Sequence, residues 1–210
     1  MSANEPGPVL WDVDTQVDFM EPAGKLYVPG ASERRDAMGR LVRAAREAGI
    51  VHVASADDHE PADDEISATP DFVRTYPPHC MRGTSGAERI PETAQHDPLV
   101  LSLTGALPDL AGRRELLLPK KSTDVFTNPN AAALLDYLQP TEVIVFGVAT
   151  DVCDHAAIGG LRERGWNVAF VEDAASGLSE ERVAACTAQW RELGVRFTTT
   201  DEVVASLAVP

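Results

Sequence analysis

Short apolar runs alternate with segments of helical spacing along most of this 210-residue chain, and that alternation limits the folds open to it. The apolar runs predict strands at residues 9–13, 50–54, 114–119, 142–146, 167–171 and 195–198. The other segments predict helices at residues 32–49, 129–138, 153–164, 179–193 and 201–207. Strands that alternate with helices form a parallel sheet covered on both faces. We therefore predict one α/β domain over residues 1–210, with α/β/α layers around a mostly parallel central sheet.

One segment, residues 55–104, breaks this alternation. It is rich in proline, aspartate and histidine and has only weak periodicity. Long irregular stretches inside a compact domain are usually functional or mobile. We therefore expect this segment to carry metal or substrate contacts.

Composition and charge limit the kinds of molecule that this chain is expected to bind. The formal net charge is -15, which disfavours binding to nucleic acid or to anionic membranes. No run of about 18 apolar residues is present, and the first residues lack the basic and apolar regions of a secretory signal. The three cysteines, an odd and sparse set, indicate thiols rather than a disulfide framework. We expect a cytoplasmic homo-oligomer that acts on a small molecule.

Three reactive residues follow predicted strands, where ligands bind in open α/β sheets: Asp14, Lys120 and Cys153. A thiol at a helix N-terminus is expected to be stabilised as thiolate, and the same backbone N–H groups can hold an oxyanion. Asp14 could transfer protons to and from the leaving group and water. Taken singly, the three have plainer interpretations as a buried cysteine, a turn aspartate and a surface lysine. Lys121 is a rival to Lys120 for the same role.

A second group of side chains could bind a metal ion. Asp57 and His59 are two residues apart at an extended strand end, and His79 could supply another imidazole. Such a set suits zinc, manganese or iron with open coordination positions. The alternative is that these are solvated residues of an acidic loop.

Three motifs, in the same order along the chain, resemble those of a known family. Residues 14–19 read Asp-Thr-Gln-Val-Asp-Phe, Lys120 lies six residues before Phe126, and residues 147–153 read Gly-Val-Ala-Thr-Asp-Val-Cys. Together they resemble the isochorismatase-like cysteine hydrolases, and within them the nicotinamidases.

This resemblance implies specific roles. It makes Asp14, Lys120 and Cys153 the catalytic residues and the backbone amides of Ala149 and Cys153 the oxyanion hole. It also implies a cis peptide bond between Val148 and Ala149. Members that cleave vinyl ethers lack the cysteine, so its presence argues for hydrolysis of an amide or a related C–N bond.

The metal segment resembles the nicotinamidase pattern Asp-x-His followed by Pro-x-His-Cys, which Asp57, His59 and His79 match. In that family the metal binds the pyridine nitrogen of nicotinamide and positions the amide over the thiol. This sequence departs at two positions: Asp58 replaces the usual tryptophan, and Glu65 stands where some members have a third histidine. The resemblance implies one divalent metal ion, with zinc as first choice, and Glu65 as a possible ligand.

Several further residues have open interpretations. Phe19, Leu26 and Tyr76 match nicotinamidase pocket positions, but ordinary core packing would explain them equally. Asp12 lies inside a strand and needs a partner, for which Lys121 is a candidate. The remaining cysteines and histidines are expected to be structural or on the surface: Cys80, Cys186, His52, His155 and His96.

These observations predict a nicotinamidase-like amidohydrolase that forms a thioester on Cys153. A second possibility is a related cysteine hydrolase of another small amide or carbamoyl compound, without the metal. A third is a catalytically silent scaffold on the same fold.

Overall fold

A computed structural model describes residues 6–208 and contains one sheet of seven parallel strands. The strands are β1 Val9–Val13, β2 Val51–Asp57, β3 Leu99–Val100, β4 Glu115–Lys120, β5 Val143–Val148, β6 Val168–Ser176 and β7 Arg196–Thr198. Their order across the sheet is β3-β4-β2-β1-β5-β6-β7. The predicted α/β class with a parallel sheet is confirmed.

Six α-helices accompany the sheet in the described part of the chain. They are α1 Val17–Met20, α2 Arg35–Ala48, α3 Pro129–Leu138, α4 Cys153–Glu163, α5 Glu180–Glu192 and α6 Thr200–Leu207. Side chains cap three of them, because Asn128, Ser179 and Thr199 each accept a hydrogen bond from a backbone N–H of the first turn. Within residues 6–208, no helix has the length and apolar character needed to cross a bilayer.

The two faces of the sheet bury separate hydrophobic clusters. Successive side chains of a strand point to opposite faces, so Trp11 packs in one cluster and Leu10 in the other. Helices α3, α4 and α5 cover the Trp11 face, and α2 and α6 cover the Leu10 face. This is the predicted α/β/α arrangement of layers.

Strands β1 and β5 approach each other closely where the site begins. Gly147 pairs with Val13 and has a φ of 139°. A Cβ atom at Gly147 would lie 2.1 Å from the Val13 carbonyl oxygen, so any side chain there would push the strands apart. The glycine of the 147–153 motif therefore allows the ends of β1 and β5 to meet.

Several predicted boundaries differ from the structure. Strand β2 continues to Asp57 rather than residue 54, and β6 continues to Ser176 rather than residue 171. The 32–49 helix is divided into a 3-10 turn at Ser32–Arg34 and α2. The short α1 and β3 were not predicted. The polar residues after Ala54 suggest that the strand ends there. In the structure all of β2 is buried, so its pairing with neighbouring strands continues to Asp57.

Candidate active site

Four neighbouring strands bring the reactive side chains to one edge of the sheet. Asp14 follows β1, Asp57 ends β2, Lys120 ends β4, and Cys153 begins the helix that follows β5. Because the sheet order is β4-β2-β1-β5, these carboxyl ends are adjacent. The three residues named as catalytic from the sequence therefore converge, and Asp57 joins them.

Lys120 is at the centre of this group and is completely buried. Its Nζ lies 2.9 Å from Asp14 Oδ2 and 3.6 Å from Cys153 Sγ, and it donates a hydrogen bond to Asp57 Oδ1. It also donates to the Ser122 carbonyl oxygen at 3.0 Å. Burial alone would lower the pKa of Lys120, but the two carboxylates outweigh it and raise that pKa well above its usual range. The lysine is therefore a fixed positive charge.

Asp14 is held rigidly beside the lysine. Its φ is 51°, a left-handed conformation, and its Oδ1 accepts a hydrogen bond from Ser55 Oγ at 2.7 Å. Burial raises the pKa of Asp14, and the Asp57 carboxylate adds to this while Lys120 opposes it. A carboxylate with a raised pKa is a suitable proton acceptor for a neighbouring thiol.

Cys153 is also buried, with 8% of its surface exposed. Burial raises the pKa of its thiol well above the usual range; Lys120 opposes the shift, and the carboxylates of Asp14 and Asp57 add to it. From the sequence, the helix N-terminus and the lysine predict a thiolate. Burial and the two carboxylates, which depend on the complete fold, instead raise the pKa of the thiol.

The turn between β5 and α4 contains a cis peptide bond between Val148 and Ala149. The Ala149 carbonyl oxygen accepts hydrogen bonds from Val152 N at 2.9 Å and Asp154 N at 3.1 Å, which close the turn. Ala149 and Cys153, the residues assigned to the oxyanion hole from the sequence, both line the adjoining pocket.

Four buried side chains beside the thiol form a group that could hold a metal ion: Asp57, His59, Glu65 and His79. One ligand atom from each lies within 4.8 Å of the others. Asp57 Oδ2 is 3.7 Å from His59 Nε2 and 3.4 Å from His79 Nε2. The structure thus brings the predicted ligands together and includes Glu65.

The donor set fits a divalent ion. His59 is completely buried, and its Nε2 has no hydrogen-bond partner among residues 6–208. Burial would raise the pKa of Asp57, but Lys120 and the two nearby histidine rings hold it below its usual range, so Asp57 is ionised. Two imidazoles with carboxylates are ligands that zinc, manganese and iron accept.

One pocket connects the metal group with the thiol. Phe19, Leu26 and Tyr76, left open between pocket and core, all line it, and Phe19 and Tyr76 are also largely buried. The complete lining is Phe19, Leu26, Val28, Asp57, Glu65, Tyr76, His79, Thr123, Val148, Ala149, Val152, Cys153 and Leu178. No lysine or arginine is among these residues.

Asp12 has a different partner from the one suggested by the sequence. Its carboxylate forms an ion pair with Arg89, from the irregular segment, and its Oδ2 lies 3.5 Å from His52 Nε2. Lys121 instead pairs with Asp63 at 2.9 Å, so its proposed pairing with Asp12 is wrong. Arg89 is 77 residues from Asp12, and no local pattern indicates the contact.

The residues expected to be structural or on the surface do not line this pocket. Cys80 and Cys186 are buried, and burial raises the pKa of both thiols. His155 Nδ1 accepts a hydrogen bond from Trp190 Nε1 at 3.2 Å. His96 is exposed and His52 is buried beside Asp12.

Sequence reasoning missed the supporting role of two motif residues. Gln16 Nε2 donates to the Asp57 carbonyl oxygen at 2.8 Å, and Gln16 Oε1 accepts from Asp57 N at 2.7 Å. Asp18 accepts hydrogen bonds from Cys80 N at 2.7 Å and Lys25 N at 3.0 Å. Both belong to the 14–19 motif, which was the available signal.

Comparison with known proteins identifies the family. The model of the isochorismatase domain matches residues 9–202. This chain belongs to the isochorismatase family. The resemblance stated from the three motifs is thereby confirmed.

Relatives of this isochorismatase-family chain include amide hydrolases. It is 29% identical to the nicotinamidase/pyrazinamidase of Mycobacterium tuberculosis over 192 residues, which are 88% of this chain and 95% of that protein. The zinc complex of Pyrococcus horikoshii pyrazinamidase has a TM-score of 0.74 at 24% identity, covering 92% of this chain and 99% of the other. N-carbamoylsarcosine amidase from Thermoplasma acidophilum has a TM-score of 0.72 at 22% identity, covering 93% and 97%. The two structural similarities establish the shared fold.

Proposed function

We propose that this chain is a nicotinamidase-like amidohydrolase, which converts nicotinamide or a close aromatic carboxamide to the acid and ammonia. The observation that carries the proposal is a single pocket lined by Cys153 together with Asp57, Glu65 and His79. A thiol nucleophile and a metal group that share one pocket can act on the same small molecule. The nicotinamidase/pyrazinamidase relative supports this substrate class.

The pocket lining favours a neutral, flat substrate. Apolar and aromatic side chains dominate it, with Phe19 and Tyr76 available to contact a ring. Among its lining residues no lysine or arginine could pair with a substrate carboxylate, which would therefore be buried without a partner. A ring carboxamide without charge meets both conditions.

Asp57, His59, Glu65 and His79 would hold the metal, for which zinc is our first choice and manganese or iron the alternatives. When bound, a divalent ion supplies a Lewis-acid position that can accept a ring nitrogen and orient the amide. Glu65 gives the site a second carboxylate, so two carboxylates balance the charge of a divalent ion.

The first half of the reaction forms a thioester. Asp14 accepts the thiol proton as Cys153 Sγ attacks the carboxamide carbon, which avoids adding a thiolate to the two carboxylates nearby. The amides of Ala149 and Cys153 stabilise the resulting oxyanion. Asp14 then returns the proton to the departing ammonia, and the C–N bond breaks.

The second half releases the acid. Asp14 accepts a proton from a water molecule that attacks the thioester carbon, and the thiol leaves with a proton returned by Asp14. Lys120 takes no part in proton transfer, because its raised pKa keeps it charged; it holds Asp14 and Asp57 in place and offsets their charge.

A second candidate is a cysteine hydrolase of another small amide or carbamoyl compound that works without the metal. The similarity to N-carbamoylsarcosine amidase and the departures at Asp58 and Glu65 favour it. A non-catalytic scaffold would not require Asp14, Lys120 and Cys153 to converge in a pocket.

The test is ammonia release by zinc-loaded protein from nicotinamide and from N-carbamoylsarcosine, with Cys153→Ala as control. We expect kcat/KM to favour nicotinamide by at least about 100-fold, since an unpaired buried carboxylate costs several kcal/mol. Preference for the carbamoyl compound without metal would support the second candidate. No turnover of either would favour the scaffold.

We also propose that the protein acts in the cytoplasm in NAD salvage. Support comes from the three free cysteines and from the product expected of nicotinamide hydrolysis. The homo-oligomer expected from the sequence remains a prediction, which light scattering on purified protein would test.

A further inference from the structure

We infer that Lys121 is a positioning residue for the metal site, acting through Asp63 on His59. The inference rests on the proposed metal-dependent function and concerns residues outside the catalytic group and outside the four metal ligands. It gives a role to the lysine that the sequence suggested both as a rival to Lys120 and as a partner of Asp12.

A chain of polar contacts leads from Lys121 to the metal group. Lys121 Nζ donates to Asp63 Oδ2 at 2.9 Å, and the same oxygen lies 3.4 Å from His59 Nδ1. On the other side of the ring, His59 Nε2 lies 3.7 Å from Asp57 Oδ2. The ring is therefore between a carboxylate outside the site and the ligand group inside it.

In this arrangement His59 Nε2 faces the ligand group and Nδ1 faces Asp63. His59 is completely buried, and neither ring nitrogen has a hydrogen-bond partner within residues 6–208. An imidazole that ligates through Nε2 carries its proton on Nδ1 and usually donates it to a carboxylate or carbonyl oxygen. Asp63 is the acceptor that faces Nδ1.

Asp63 is held in this position partly by Lys121. It belongs to a surface turn in which Asp63 Oδ2 also accepts a hydrogen bond from Glu60 N at 2.8 Å. Lys121 directly follows the last residue of β4, so its ammonium ties the turn to the sheet. His79 has no such dependence, because its Nδ1 contacts the Pro77 carbonyl oxygen of its own loop at 2.8 Å.

Arg82 offers a matched control on the same acidic segment. It pairs with Asp58, with Nε 2.8 Å from Oδ1, and with Glu60, with Nη1 2.6 Å from Oε1. Within residues 6–208 its guanidinium forms no hydrogen bond or ion pair with Asp63 or His59. Replacing either Arg82 or Lys121 by alanine removes one positive charge near this segment. Of the two, Lys121 is the one that pairs with the carboxylate facing His59 Nδ1.

Two explanations for an effect of Lys121 predict opposite changes in metal affinity when the lysine is replaced. If the lysine acted only by its charge, Lys121→Ala would tighten metal binding, because a nearby cation repels a divalent ion. If it positions His59, Lys121→Ala should weaken binding. Loss of partners that orient metal ligands typically costs 10–100-fold in affinity, which is about the loss we expect.

The experiment measures the Kd for Zn²⁺ by competition with a chelating dye, without substrate, for wild type, Lys121→Ala, Lys121→Arg, Asp63→Asn and Arg82→Ala. Lys121→Ala and Asp63→Asn should weaken binding, and their double variant should lose less than the product of the single losses. Lys121→Arg should recover most of the affinity, and Arg82→Ala should change it by less than about threefold. Circular dichroism checks that each variant is folded.

Unchanged or tighter binding by folded Lys121→Ala would overturn the inference, as would an equal loss in Arg82→Ala. Either result leaves the proposed function intact if wild type binds one Zn²⁺ and hydrolyses nicotinamide. A wild-type protein that binds no Zn²⁺ would overturn both the metal-dependent function and the role of Lys121.

Discussion

The Lys120 ammonium lies 2.9 Å from the Asp14 carboxylate, and both side chains are completely buried. Lys120→Ala would leave Asp14 and Asp57 without their shared counter-charge. We expect it to lower kcat more than about 100-fold and to destabilise the fold by about 3–5 kcal/mol. Steady-state kinetics and urea unfolding measure the two effects. Lys121→Ala, assayed at saturating zinc, should lose much less turnover than Lys120→Ala. A larger loss in Lys121→Ala would show that the role belongs to Lys121.

Cys153→Ala should abolish ammonia release while the protein remains folded, because a small side chain replaces the thiol at the start of α4. Cys80→Ala and Cys186→Ala should remain active, since neither thiol lines the pocket. Stopped assays with mass spectrometry should detect an acyl adduct only on Cys153. Wild-type turnover by Cys153→Ala would exclude the thiol mechanism.

Asp14→Asn should lower kcat by about 10²–10⁴-fold, because the amide cannot accept the proton of the thiol or of water. Ser55→Ala removes the hydrogen bond to Asp14 Oδ1 but leaves the carboxylate, so its loss should be much smaller. Single-turnover measurements of ammonia and acid release would separate the two halves of the reaction. Equal losses in both variants would contradict a proton-transfer role for Asp14.

Removal of the metal should lower activity towards nicotinamide and make residues 55–104 more sensitive to protease, because binding stabilises the state that contains the site. Purified protein should carry about one divalent ion per chain. His79→Ala should reduce metal content, measured by elemental analysis, more than Glu65→Ala does. Full turnover of nicotinamide by metal-free protein would be incompatible with the proposed site.

Asp154 should make stability depend on pH. Burial raises its pKa well above the usual range, and the carboxylates of Asp14 and Asp12 add to the shift. The folded state therefore retains the proton more strongly than the unfolded state. Its contribution to stability is complete below the unfolded pKa of about 3.9 and is lost as pH rises through the folded pKa.

Asp154→Asn should consequently raise the free energy of unfolding more at pH 7 than at pH 4. Urea unfolding of wild type and variant at the two pH values, both without metal, measures the difference. A gain that does not vary with pH would show that Asp154 is not responsible for the dependence.

The convergence of Asp14, Lys120 and Cys153 could be predicted because each follows a predicted strand and belongs to one of the three family motifs. Strand ends are visible in the apolar pattern, and parallel order brings their carboxyl ends together. The ion pair between Asp12 and Arg89 could not be predicted this way, since it joins β1 to an irregular segment. The same applies to the contact between Lys120 and Asp57, which required knowledge that β2 and β4 are neighbours.

The protonation of Cys153 illustrates a second limit. A helix N-terminus and a nearby lysine can be inferred from sequence, and both favour a thiolate. Burial and the number of carboxylates around the sulfur depend on the complete fold. In the structure, burial and the carboxylates of Asp14 and Asp57 outweigh the effect of Lys120 and raise the pKa of the thiol.

The proposed metal ligands and the proposed catalytic residues reach the pocket by separate routes. Asp57 ends β2, and His59, Glu65 and His79 lie in the stretch 58–79 that follows it, whereas Asp14, Lys120 and Cys153 come from the ends of β1, β4 and β5. Exchange of residues 58–79 would therefore replace His59, Glu65, His79 and the pocket residue Tyr76 together, and leave Asp57 with Asp14, Lys120 and Cys153 in place.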